Sequence, residues 1–108
     1  MNQTTRRRRV NAAMIIGLDA AVAEAAQTML RGLGYQVVRV GHAAAASERL
    51  PVLMPILVVA SAETVKVERE SLEDGAVAVG AHVVWLPPNA EAVQALLAHT
   101  ARQVLEAN

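Results

Sequence analysis

Residues 14–38 read MIIGLDAAVAEAAQTMLRGLGYQVV, and within that stretch every boundary of a strand–helix–strand unit is marked. Ala13–Leu18 is a short apolar run of the length and composition of a buried strand. Asp19 follows where a helix N-cap belongs, its carboxylate placed to accept from the first free amides. Val22, Ala26, Met29, Leu30 and Leu33 then recur at helical spacing as one apolar stripe. Gly34 is placed to close the helix in the left-handed conformation. Gln36–Val40, rich in β-branched residues, reads as the next strand.

The same alternation continues outward from this unit. Gly41 breaks the second strand, and Ala43–Leu50 is an alanine-rich helix that Pro51 is expected to stop. Pro55–Ala60 (PILVVA) is the most hydrophobic run and reads as a central strand, buried on both faces. Glu63–Asp74 is a charged helix expected to end at Gly75, and Ala76–Gly80 fits either a helix end or a short strand. His82–Leu86 (HVVWL) is the last strand, ended by Pro87 and Pro88. Asn89 caps a final helix whose stripe is Val93, Leu96, Leu97, Thr100, Val104 and Leu105. Four βα units imply parallel pairing, right-handed crossovers and helices on both faces. The expected fold is a three-layer α/β sandwich around a parallel sheet of about four strands, order 2-1-3-4. Residues 1–10 are expected to form a basic, flexible arm on a single domain spanning 11–108.

Two segments carry a resemblance. Met14–Val38 is similar to the opening of a bacterial response-regulator receiver domain, with its acidic turn and Gly-Tyr before the second strand. Gly80–Leu97 (GAHVVWLPPNAEAVQALL) resembles its end, where a strand, Lys-Pro and a helix are expected. Pro55–Ala62 (PILVVASA) is similar to the receiver strand that ends in Thr/Ser-Ala. Receivers have five βα units, and the resemblance places the missing one around residues 41–55. It implies a receiver- or flavodoxin-like fold, and a phosphorylation pocket that has degenerated. The two metal-holding acids fall on Gly17 and Leu18, leaving Asp19 alone, and no strand between Gly41 and Ser61 ends in aspartate. Ser61 matches the switch hydroxyl, and the lysine position is Pro87. Without clustered oxygen ligands and a cation for the phosphoryl oxygens, that chemistry has no footing.

The resemblance therefore implies a pseudo-receiver, not an enzyme: a phosphorylation-independent protein–protein interaction module in bacterial signalling, polarity or regulation. A protein partner or a second copy, as a homodimer, is the expected ligand, with no cofactor, metal or small-molecule substrate. Receivers commonly pair through the last strand, the last helix and the helix before it. Here that surface takes in Trp85, Pro88, Val93, Leu97 and His82. Trp85 is the sole tryptophan, and it fits both a core and an interface role; the receiver aromatic itself aligns with Val84. Loss of one unit also exposes apolar surface that something should cover.

Composition bounds the alternatives. The 108 residues are 54% hydrophobic but only 2% aromatic, so the core must be small and aliphatic. No cysteine is present, which removes thiol chemistry and fits a cytoplasmic setting. No apolar run approaches the roughly 20 residues of a membrane span. Net charge is zero, yet Arg6, Arg7, Arg8 and Arg9 sit together, and without them six basic residues face ten acidic ones. That run supports the alternative function, a nucleic-acid-associated regulator whose arginines contact phosphate, although no aromatics interleave it for base stacking. His42, His82 and His99 lack metal-ligand spacing. Ser61 has no Gly-x-Ser-x-Gly elbow around it. Glu68, Glu70, Glu73 and Asp74 read as a solvated acidic face.

Overall fold

The computed structural model describes residues 11–107. The basic arm, with Arg6–Arg9, lies outside the described residues. β1 (Ala12–Ile16), β2 (Gln36–Val40), β3 (Leu57–Ser61) and β4 (His82–Leu86) form one parallel sheet in the order β2-β1-β3-β4. The connecting helices are α1 (Ala20–Gly32), α2 (Ala43–Leu53) and α3 (Lys66–Val79), and α4 (Ala98–Ala107) follows β4. The fold is α/β with a flavodoxin-like strand order, as its sequence pattern implies.

Side-chain alternation along the strands splits the core into two layers. Ala13, Ile15, Leu57, Val59 and Leu86 face α1 and the last helix, where they meet Val22, Ala26, Leu30, Val93 and Leu97. Met14, Ile16, Val58 and Ala60 face α2 and α3, where they meet Ala46, Leu50, Leu72 and Ala76. Both central strands are buried on both faces, so their apolar runs are unbroken. Burying a leucine or valine this way contributes about 1.5–3 kcal/mol. The many alanines keep the helices close to the sheet.

Local signals hold where expected at α1. The Asp19 carboxylate accepts from the Ala21 amide at 3.3 Å, and Gly34 takes φ +102° after the helix. Tyr35, buried at the head of β2, donates its hydroxyl to the Ala101 carbonyl at 2.8 Å and ties α4 to the sheet. Burial pushes its phenol up to about 12.

Three boundaries differ from the sequence pattern, each for a physical reason. Pro51 does not stop α2, which runs on to Leu53. A proline this close to the end removes one hydrogen bond, and the Met54 amide still reaches the Leu50 carbonyl at 2.9 Å. The stop is Met54 itself, at φ 50° and ψ 57°. Gly75 does not end α3; it lies inside the helix, which continues to Gly80 at φ +77°, so Ala76–Val79 is helix and not strand. A Cβ on Gly75 would stand 2.8 Å from Cδ1 of Leu50, so glycine is there to let α3 approach α2. The final helix is not regular: Val93–Leu97 makes a wide π-type turn before α4. That turn leaves Leu96 47% exposed, off the stripe on which the sequence places it.

The two sheet edges are unlike. On β2, Arg39 reaches back to α1, with Nη1 3.2 Å from both Glu24 Oε2 and Gln27 Oε1. β4 carries no Lys, Arg, Asp or Glu, and among the described residues no strand lies on its outer side. Residues 41–55, where the resemblance places a missing unit, hold the complete helix α2. Among the described residues no helix is long and apolar enough to cross a membrane.

Candidate functional site

Two places merit attention: the crevice at the carboxyl ends of the strands, where open α/β sheets bind ligands, and the β4 edge. In the crevice, Gly17 turns the chain out of β1 at φ +62°, its amide donating to the Val40 carbonyl at 3.0 Å. Gly17 and Ser61 line one shallow hollow of about 280 Å³ together with His42, Glu63 and Glu68. Leu18 lines a neighbouring hollow and packs on the core. Asp19 is engaged as the cap of α1. Pro87 lines neither hollow.

The five positions that the resemblance assigns to a degenerate phosphorylation pocket are thus only partly gathered. Ser61 Oγ accepts from the Glu63 amide at 3.0 Å, and the Ser61 carbonyl accepts from the Thr64 hydroxyl at 2.7 Å. Its polar atoms organise the turn into α3. The imidazole Nδ1 of His42 accepts from the Ala45 amide at 3.3 Å and caps α2. The main hollow has two carboxylates on its rim and no Lys or Arg in its lining. Such a wall repels an anion rather than stabilising one. Among the described residues no three His, Cys, Asp or Glu side chains are grouped to hold a metal ion.

At the β4 edge, pairing with β3 sets Trp85 beside Ala60 and turns its ring to the α2/α3 face, against the Met14–Val58 layer. The ring is half-buried. The Arg69 guanidinium covers it, 4.6 Å from the centroid, and is steadied by donating to the Ala62 carbonyl. A cation over an indole face contributes about 0.5–2 kcal/mol. Arg69 was not marked by the sequence, because no spacing links a helix position to a strand that starts thirteen residues later. Val84, the residue aligned with the receiver aromatic, packs on the opposite layer.

The other proposed interface residues divide. His82 and Pro88 are exposed. Val93 and Leu97 are fully buried among the α1-side core residues, so they offer nothing to a partner. The stripe that reads as an interface on the last helix is the one the helix uses to dock on its own sheet.

The hydrogen-bond phase of β4 is fixed at its ends. The His82 amide donates to Ile56 at 3.0 Å, and the Leu86 carbonyl accepts from Ala62 at 2.8 Å. Main-chain direction alternates along a strand, so His82, Val84 and Leu86 address β3, while Val83 and Trp85 turn their N–H and C=O groups outward. An apolar strand with two residues of open main chain is a site for adding another strand. Comparison with known proteins gives no match: no family model fits the chain, and neither a curated protein nor a solved structure is significantly similar to it.

Proposed function

We propose that the chain is a phosphorylation-independent protein–protein interaction module of the pseudo-receiver kind, acting in bacterial signalling or regulation and binding a partner or itself. The observation that carries this reading is the β4 edge: uncharged, unpaired on its outer side among the described residues, and flanked by a half-buried tryptophan under Arg69. Large aromatics and arginine are the side chains most enriched at binding hot spots. The acidic rim of the strand-end hollow, with Asp19 held as a helix cap, supports a role without phosphoryl transfer. The absence of cysteine is in keeping with work in the cytoplasm.

The test is affinity capture from nuclease-treated lysate, comparing the full chain, a chain lacking residues 1–10, and Trp85→Ala. Retention of one protein by the first two and its loss from the third is the expected result. Capture that fails after nuclease treatment or arm deletion would move the function to Arg6–Arg9. Those arginines favour the alternative of a nucleic-acid-associated regulator, whose binding would fall steeply with salt.

A further inference from the structure

The open edge has a phase and a charge pattern that match a copy of itself. We infer that β4 pairs antiparallel with β4 of a second copy, about a two-fold axis at Val84, to make one continuous eight-stranded sheet. The inference rests on the interaction reading above and names its partner.

Antiparallel strands exchange paired bonds between residues whose main chain faces the neighbour. On β4 those residues are Val83 and Trp85. A two-fold axis at Val84 sets Val83 opposite Trp85 of the second copy, and Trp85 opposite its Val83, so all four outward N–H and all four outward C=O groups find partners. No other two-fold register pairs both residues. Opposed residues share a sheet face, so each Trp85 ring lies beside the other copy's Val83 on the α2/α3 side. Val84 meets its own counterpart on the other side.

The helix above the edge is in the same register. α3 leads from β3 back to the start of β4, so it runs antiparallel to both strands. Arg69 sits over Trp85. Four residues along α3 advance about 6 Å, close to the roughly 6.6 Å spanned by two strand residues. Glu73, exposed and four residues after Arg69, is therefore level with Val83. The axis that brings Val83 to the second copy's Trp85 brings Glu73 to its Arg69. Opposite charges meet twice, and the guanidinium has N–H donors left beyond the one given to Ala62. One operator thus satisfies the main chain, the tryptophan and the charges together, as an isologous contact requires.

Because the chain has no cysteine, single thiols report the register. In the paired state the two Val84 Cα atoms stand about 4.5 Å apart, within disulfide range, whereas the two Val83 Cα atoms are offset by two residues and lie beyond about 7 Å. Under mild oxidation of the full chain, Val84→Cys should form a covalent dimer at least tenfold faster than Val83→Cys. Sedimentation equilibrium should give the unmodified chain twice the monomer mass. Glu73→Arg, at an exposed position, should weaken that dimer at least fivefold with unchanged circular dichroism. A monomeric unmodified chain, or Val83→Cys crosslinking as fast as Val84→Cys, overturns the inference whether or not the cysteine variants fold well. A monomer that still captures a partner through Trp85 leaves the interaction reading standing. A monomer that captures none removes both.

Discussion

Replacing Gly75 by alanine sets two effects of known size against each other. In the middle of α3, alanine gains about 1 kcal/mol over glycine from backbone entropy and helix propensity. Against this, its Cβ would stand 2.8 Å from Leu50 Cδ1, whereas carbon atoms rest at about 3.5–4.0 Å. Leu50 must therefore yield by roughly 0.7–1.2 Å, and it is 1% exposed in the α2/α3 core layer. Overpacking of this kind costs about 1–3 kcal/mol, so Gly75→Ala should be destabilising by about 1 kcal/mol net. Gly32→Ala is the internal control, because nothing lies within 4 Å of its added Cβ; at the end of α1 it should gain a few tenths of a kcal/mol. Urea titration should separate the variants by about 1–2 kcal/mol, and melting should separate them by about 5–10 °C. In a Leu50→Ala background the obstacle is gone and Gly75→Ala should turn stabilising, the sign of a direct coupling. If Gly75→Ala alone raises the midpoint as Gly32→Ala does, the steric account of the α2–α3 contact is wrong.

Other expectations follow from single interactions. Tyr35 titrates near 12 when folded and near 10 when unfolded, so the stability that its neutral form contributes is complete below pH 10 and is lost as pH rises through 12. Tyr35→Phe should lose about 1 kcal/mol at pH 7, from the bond to Ala101, and show a flatter alkaline decline in urea midpoints between pH 9 and about 12. His42→Ala removes the cap of α2 and should cost about 1 kcal/mol, whereas His42→Asp should keep the stability; thermal melts of the pair distinguish a cap from a packing role. Met54→Gly relieves a left-handed residue and should raise the stability by about 0.5–1 kcal/mol after glycine's own entropy cost; a fall in the melting point would show that the half-exposed side chain matters more than the backbone.

The strand order was legible because each strand is a short, mostly apolar run bounded by turn residues and separated from the next by a helical stretch, and a four-unit βα chain has few topologies to choose from. What misled were residues whose meaning depends on a neighbour. Gly75 reads as a terminator until Leu50 is seen beside it, and Pro51 reads as a stop although the helix has only two residues left to form. The π-type turn at Val93–Leu97 has no local signature, so the phase of the last stripe slipped there. At the candidate site, the alternation of β4 left the face of Trp85 open, and only the register with Ala60 fixes it. Val93 and Leu97 were assigned outward by resemblance, although an apolar stripe on a sheet-covering helix belongs to the core.

The unequal edges of the sheet limit how far it can grow. Polymerisation by strand addition needs two receptive sides on every subunit, one to accept and one to offer. Here the β2 side carries Arg39, drawn toward Glu24 and Gln27, and a charged side chain there discourages a further strand. On the pairing inferred above, the β4 side is the one that takes a further strand. A subunit with one receptive side has a valence of one, and growth through it terminates at the first encounter instead of running on into a fibre.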